Sequence, residues 1–350
     1  MDLRHLIKYA MVAPLLAAGC QSSRVTEPAA SLEDFQARLE RLRVEGHIHT
    51  ISAVIARDGA VAWSRSLGNA DAAGVGDTTS FHLASLTKPM ASAVILQLVE
   101  EGKVALDDSV SKYGIVLANS GAVRVRHLMS HTSEGVPGTQ YNYNGNRFSL
   151  LDSVIVRATG KSVAAAIHER IVVPLGLRHT APAPQSPAFS VTGYDQATYL
   201  ANLAPGFTWN GNRFAPTAYE TFFNSAAGLI ASARDYAAFS IALDGDALLT
   251  SATRTLAYTA ATSPTGATFP YGLGWFVTDY KGVRVIWHYG LWTASSTLVI
   301  KVPSRALTFV LLANTDGLSA PYPLAAGRLE TSPWAREFLE TFVIAGLPLP

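Results

Sequence analysis

The chain is short of the two things that most often betray a small protein's chemistry: it has one cysteine, Cys20, in 350 residues, and only 15% of its residues are charged. A single cysteine excludes an internal disulfide and any cysteine-built metal cluster. Basic and acidic residues nearly cancel, 27 against 26, and no basic run occurs, so nucleic acid is not an expected partner. No Gly-x-Ser-x-Gly pentapeptide is present, which removes the nucleophile elbow of α/β-hydrolases. No His-Glu-x-x-His is present either, and His47-Ile48-His49 reads as strand packing, so neither a metal nor a cofactor is expected. Internal repeats and low-complexity blocks are missing as well.

What the chain does contain is Ser85-Leu86-Thr87-Lys88, placed where the alternating stretch Ser80-Phe81-His82-Leu83-Ala84 gives way to a long apolar helical pattern. Side chains three apart at a helix start share one face, so a hydroxyl and an amine stand together where the first backbone amides are unpaired. A serine hydroxyl is a weak nucleophile until a base takes its proton, and an amine can do so only if its pKa falls well below about 10.4. Burial lowers it. Met90, Ala91, Ala93, Val94, Ile95, Leu96, Leu98 and Val99 leave almost no polar face before Glu100, Glu101 and the stop signal Gly102, which is the pattern of a core helix. Pro89 is tolerated only in a first helical turn and keeps the helix from starting much earlier.

Ser-x-x-Lys by itself also describes an N-cap serine followed by a solvated lysine, so its companions decide the reading. The stretch from Pro137-Gly138-Thr139 through Tyr141-Asn142-Tyr143-Asn144-Gly145-Asn146-Arg147-Phe148 to Leu150-Leu151 closely resembles the Pro-Gly-Thr-x-Phe-x-Tyr-Ser-Asn-x-Gly-Tyr-x-Leu-Leu segment of the serine β-lactamase-related family. That family contains class C β-lactamases, D-Ala-D-Ala carboxypeptidases and family VIII esterases. The resemblance makes Tyr143 the proton shuttle. The family's asparagine, which touches the lysine and the substrate carbonyl, falls on Gly145, and its glycine on Arg147; Asn144 or Asn146 could take the asparagine's place by a local shift. Trp287-His288-Tyr289-Gly290, after the strand-like Val283-Arg284-Val285-Ile286, looks like the His-x-Gly variant of the family's Lys-Thr-Gly motif. By resemblance His288 acts opposite the serine, Tyr289 and Gly290 border the substrate, and the amides of Ser85 and Leu291 form the oxyanion hole.

Further similarity fills the intervals, at Val123 to Gly135 (with His131-Thr132-Ser133), at Val173 to Thr180, and at Ser225-Ala226-Ala227-Gly228-Leu229 with Ser232-Ala233-Arg234-Asp235. These segments are read as structural. The resemblance runs from about Asp58 to Asn314.

Leu32 to Arg43 reads as an amphipathic helix. Ile51 to Arg57 and Val61 to Leu67 read as strands around the hairpin signal Asp58-Gly59, three or four strands are expected between Tyr271 and Thr315, and Ser332 to Ala345 suggests a closing helix. Strands at both ends with helices between favour an α+β fold, an antiparallel sheet built from both chain ends and flanked by helices. The resemblance implies the β-lactamase/transpeptidase-like version of it. The expected organisation is one hydrolase domain over 32–350, with a sheet subdomain at about 32–102 and 225–350 and a mainly helical one at about 103–224. The active site lies between them. Function follows as acyl transfer through a covalent Ser85 intermediate on an ester, a β-lactam or a D-amino-acyl peptide. An esterase with weak or no β-lactamase activity is the leading expectation. A D-Ala-D-Ala carboxypeptidase, a β-lactamase, or a penicillin- or cell-wall-binding module without turnover are the alternatives.

The first 20 residues read as an export signal: Arg4 and Lys8, an apolar run from Ala10 to Leu16 too short to span a bilayer, then Ala17-Ala18-Gly19 before Cys20. Leu16-Ala17-Ala18-Gly19-Cys20 looks like a bacterial lipobox. The expectation is a signal peptide over 1–19, an acylated Cys20 attached to a membrane, a tether over 20–31, and, because Gln21 is not aspartate, an address on the periplasmic face of the outer membrane. In a Gram-negative host, Cys20→Ser should abolish processing and release the protein from the membrane fraction. Unchanged migration and unchanged fractionation would refute the lipoprotein reading.

Overall fold

The computed structural model describes residues 27–72, 74–118 and 121–350. The signal segment and Cys20 therefore lie outside the described residues.

One antiparallel sheet of six strands is assembled from both chain ends, in the order Ala60–Gly68, Thr50–Arg57, Leu307–Ala313, Ser295–Val302, Val283–Trp292, Phe276–Tyr280. The first hairpin turns as expected at Asp58 and Gly59, whose φ values of 51° and 81° are the two left-handed residues that a two-residue turn between twisted strands requires. Thr50–Arg57 then pairs with Leu307–Ala313, from Ile51 opposite Ala313 to Arg57 opposite Leu307, which closes the domain across its whole length. One face is covered by helix Leu32–Glu45 and the closing helix Pro333–Phe338, where Phe35, Phe309, Phe338 and Phe342 stack edge and face.

The other face carries the apolar helix Thr87–Glu100, in which every residue from Thr87 to Leu96 is buried. It stops at Glu101 and Gly102, the latter at φ 69°. Gly274, at φ 88°, packs against this helix so closely that a Cβ there would sit 2.0 Å from the hydroxyl of Ser92. Between sheet and helical region lies a small three-stranded sheet, Ser80–His82, Leu229–Ser232 and Ala181–Pro182, which brings the serine segment and the 225–232 segment side by side.

Three boundaries differ from the sequence reading. Residues expected to belong to the tether are already packed: Ala29 is buried and its amide donates to Thr341 Oγ1 at 3.1 Å. The stretch 103–224 is not wholly a helical insert, because the hairpin Phe207–Trp209/Phe214–Pro216 attaches to the sheet end, with Phe207 N donating to Asn314 O at 2.9 Å. Its rings stack on the two histidines of the 47–49 segment, Trp209 on His47 and Phe207 on His49, which explains why that pair looked like packing. The expected helix at Ser332 to Ala345 is real but loosens into wider π turns from Leu339, as helix Val163–Ile167 does from His168.

Among the described residues no helix is long and apolar enough to cross a membrane, and no group of three or more His, Cys, Asp or Glu is placed to hold a metal. The contact between Gly274 and Ser92 gives a direct check on this packing. Gly274→Ala should lower the unfolding free energy by about 2–4 kcal/mol, from overpacking and a left-handed backbone. Combined with Ser92→Gly it should cost less than the two single changes added together, by at least about 1 kcal/mol in a denaturation cycle. Strict additivity would show that the contact is not made.

Candidate active site

Ser85 sits in a tight turn, Ala84–Leu86, that leads straight into helix Thr87–Glu100. Ala84 is a non-glycine residue at φ 48°, a sparsely populated region that costs about 1 kcal/mol or more and persists only when neighbours enforce it. The neighbours are visible. Thr297 Oγ1 donates to Leu83 O at 3.0 Å, Ser295 Oγ donates to His82 O, Thr87 Oγ1 donates to Ala84 O at 2.9 Å, and Tyr236 Oη donates to Leu86 O at 3.1 Å. Gly290 fits against the same turn; a Cβ there would meet Leu83 O at 2.3 Å and the Ala84 Cβ at 3.2 Å. Sheet, helix and the 229–232 strand thus clamp the serine turn from three sides, and Ser85 itself stays partly exposed.

Lys88 Nζ lies 2.8 Å from Ser85 Oγ and donates to Ala226 O at 3.0 Å. The amine is fully buried and has the rings of Tyr143 and Phe148 at 5.2 and 5.5 Å. Burial lowers its pKa from 10.5 to about 7, and no carboxylate offsets the effect. At neutral pH a large share of the amine is free. In that form one hydrogen remains on Ala226 O while the lone pair faces the serine hydroxyl.

Tyr143 stands over the same amine. Its hydroxyl is buried and makes no hydrogen bond of good distance and angle, yet it is near enough for Ser85 to oppose the upward shift in its pKa; burial and Tyr289 win and hold it well above 10. The hydroxyl faces Ser85 without a formed bond. Tyr143 is held by rings on all sides, His131 at 4.4 Å, Phe276 and Tyr289 at 5.7 Å.

His288, expected to act opposite the serine, directs its hydrogen bonds elsewhere. It is completely buried beside Tyr143, with ring centroids 6.2 Å apart, and both nitrogens have partners. Nδ1 donates to Tyr289 O at 2.7 Å, which fixes the tautomer, so Nε2 accepts from Tyr271 Oη at 2.8 Å. Burial, with Lys88 as the second cause, pushes its pKa well below 6.5, so the ring is neutral. Tyr289, on the opposite face of the strand from Gly290, is also buried and packs behind Tyr143 rather than lining an opening. Beyond Trp287 the outer edge of strand Val283–Trp292 has no neighbouring strand, since Phe276–Tyr280 ends at the Phe276–Trp287 pair. Within that stretch Gly290 packs against Leu83 and Ala84 of the serine segment.

The asparagine question has a clear geometric answer. Asn144 caps the short helix Gly145–Phe148 by accepting from Arg147 N at 3.1 Å, and its amide donates to Glu134 at 2.7 Å, so it is not free to reach Lys88. Asn146 is exposed. Gly145 is the residue beside the amine: a Cβ there would be 4.0 Å from Lys88 Nζ and meet nothing else within 4 Å. The place of the family's asparagine is an open notch.

Two contributors were assigned no role from sequence. Ala226 contributes a backbone carbonyl, which no side chain advertises, although the Ser225 to Leu229 similarity marks the segment. His131, in the His-Thr-Ser segment, adopts φ 56°, accepts from Asn144 N at 3.1 Å through Nδ1, and presses its ring on Tyr143. The larger cavities, about 380 Å³ beside Asp244, Arg254 and Arg284 and about 350 Å³ beside His49, Asp71 and Asn202, are not lined by Ser85; chemistry rather than volume marks the site.

Comparison with known proteins identifies the family. Over residues 34–330 the chain matches the family model described as Beta-lactamase. Penicillin-binding protein 4* of Bacillus subtilis is 24% identical over 276 residues, 67% of this chain and 61% of that protein. Esterase EstB of Burkholderia gladioli is 27% identical over 195 residues, 41% of this chain and 48% of that protein, so the chain spans only about half to three-fifths of the length of these two relatives. Among solved structures, the octameric penicillin-binding protein homologue from Pyrococcus abyssi superposes with a TM-score of 0.75 at 20% identity, over 90% of this chain and 77% of that one. EstCE1, described as a hydrolase with promiscuous acyltransferase activity, superposes at 0.68 and 20% identity, over 87% and 98%. With a clamped Ser85, a buried Lys88 and Tyr143 on a shared antiparallel scaffold, and a family match across most of its length, the chain belongs to the Beta-lactamase family.

Proposed function

We propose that the chain is a serine hydrolase that cleaves esters through an acyl-enzyme on Ser85. The observation that carries this reading is the 2.8 Å approach of Ser85 Oγ to an amine whose burial brings its pKa to about 7. Lys88 takes the hydroxyl proton as Oγ attacks the ester carbonyl. The resulting oxyanion is received by the amides of Ser85, at the positive end of helix Thr87–Glu100, and of Leu291. The tetrahedral intermediate collapses, the C–O bond to the alcohol breaks, and the alkoxide takes a proton from Tyr143, which the lysinium replaces. Water, deprotonated in its turn by Lys88, then hydrolyses the acyl-enzyme. Because Tyr143 is held well above 10 and Lys88 near 7, the amine rather than the phenol is the first base.

Esters are favoured over amides by what stands around the serine. The notch at Gly145 supplies no amide donor to a substrate carbonyl or to the lysine. His288, where the family motif has lysine, is neutral and enclosed, so it offers no positive charge to a substrate carboxylate; its role in this reading is to hold Tyr271 and Tyr143 in place. Relatives named for penicillin binding, such as penicillin-binding protein 4*, keep β-lactams and D-amino-acyl peptides as alternatives. EstB and the teichoic acid D-alanine hydrolases of Staphylococcus aureus, 28% identical over 188 residues, are named for hydrolysis. The lipobox-like segment supports a further proposal, that the enzyme is exported and anchored through Cys20 at the outer membrane.

A panel of p-nitrophenyl butyrate, nitrocefin and a D-Ala-D-Ala peptide tests this directly. Butyrate turnover that vanishes in Ser85→Ala, with nitrocefin and peptide at least 100-fold poorer, is expected; labelling without turnover would favour a binding module. Gly145→Asn should raise the nitrocefin-to-ester ratio of kcat/KM by about tenfold, the order of one hydrogen bond, and an unchanged ratio would discard the role given to the notch. The pH dependence has a definite sign. Lys88 must be neutral to act, so kcat/KM should rise with pH through about 7 and level off above it. A profile flat from pH 5.5 to 8.5, with chemistry limiting, would remove Lys88 as the base.

A further inference from the structure

We propose that Trp292 and Phe222 form the seat of the substrate's acyl chain, and that the enzyme selects esters of uncharged, apolar acids. This rests on the ester hydrolase reading and adds the substrate class to it.

Trp292 is the only exposed Trp, Phe or Tyr among the described residues, at 42% exposure. It is held rather than loose: it closes the hairpin opposite Ser295, and Phe222 meets its ring edge-on at 5.1 Å. Both rings are tied to Ser85 by short, rigid routes. Phe222 begins the loop that carries Ala226, whose carbonyl binds Lys88, and the loop is pinned where Gly228, at φ 111°, leaves room for the Phe222 carbonyl. Trp292 lies two residues beyond Gly290 and therefore on the same face of the strand, the face on which Gly290 receives the serine turn.

Alternation along this strand orders the site. His288, Gly290 and Trp292 share one face, with Tyr143 beside His288, Leu83 and Ala84, which lead into Ser85, over Gly290, and Phe222 beside Trp292. A carbonyl whose oxygen reaches the Ser85 and Leu291 amides has two substituents to place. The alcohol goes toward Tyr143, the proton donor, so the acyl chain goes the other way, onto Trp292 and Phe222. In this reading the carbonyl meets Tyr143, Phe222, Leu291 and Trp292, none of which bears a charge at neutral pH. An alkyl chain covered there gains roughly fourfold in binding per methylene removed from water, while a carboxylate would be desolvated without a partner.

The test compares kcat/KM for p-nitrophenyl acetate, p-nitrophenyl hexanoate and the p-nitrophenyl half-ester of adipic acid, which has the hexanoate chain length but ends in a carboxylate. The wild type should prefer hexanoate to acetate by at least tenfold and hexanoate to the adipate half-ester by at least tenfold. In Trp292→Ala and in Phe222→Ala the hexanoate-to-acetate ratio should fall to within about threefold of unity, and Trp292→Phe should restore most of it. A ratio that survives both alanine changes, or an adipate half-ester cleaved as well as hexanoate, overturns the proposal. If no ester is turned over and Ser85→Ala changes nothing, the hydrolase reading fails instead. The seat is then judged by the rate at which p-nitrophenyl ethyl- and hexylphosphonates label Ser85, followed by intact mass. A hexyl preference of tenfold lost in Trp292→Ala supports it, and equal rates refute it.

Discussion

The site depends on a lysine that the fold forces into an apolar interior beside a serine. Lys88 has no carboxylate partner; its contacts are a hydroxyl, a carbonyl and two aromatic rings, and this is why its pKa falls to about 7. The arrangement costs stability at neutral pH. Between about 7 and 10.5 the unfolded chain binds a proton at this position that the native state does not, so this cost diminishes as pH rises through that window. The surrounding core makes up the deficit: the helix that holds Lys88 is buried from Thr87 to Leu96, and each fully buried Leu or Ile contributes about 1.5–3 kcal/mol.

The remaining architecture serves to keep that pair in register. The left-handed Ala84, the close approach of Gly290, and the hydroxyls of Ser295, Thr297 and Thr87 spent on backbone carbonyls all act on the three residues before the serine, His82 to Ala84. Behind them a cluster of rings, Tyr143, His131, Tyr271, Phe276 and His288, fixes the phenol that faces the serine. Here neutrality is as important as position. His131 and His288 are both held well below 6.5, chiefly by burial, so neither adds a second positive charge beside the lysine.

Much of this was legible in the chain. The sheet built from both ends shows in alternating strands and in Asp58-Gly59, and Ser85 and Lys88 show in a motif set against an apolar helix. Tyr143 needed the flanking Pro-Gly-Thr and Leu-Leu to be found among its neighbours. What stayed hidden has physical causes. Ala226 acts through its backbone, and His131 through a left-handed φ that no local pattern announces. His288 was placed opposite the serine by the resemblance of its Trp-His-Tyr-Gly setting, and nothing in that motif shows that its two nitrogens are taken by Tyr289 and Tyr271. The 207–216 hairpin looked like part of the helical insert because its attachment, to Asn314 and two histidines, is remote in sequence.

In the proposed mechanism Ser85 is activated by an unprotonated, buried Lys88. A 13C titration of the lysine ε-carbons, with Lys88 assigned by its loss in Lys88→Met, reads this without relying on any substrate. The Lys88 resonance is expected to show a midpoint near 7. A Lys88 signal that titrates near 10.5, the ordinary lysine value, is the opposite outcome and rules this activation out.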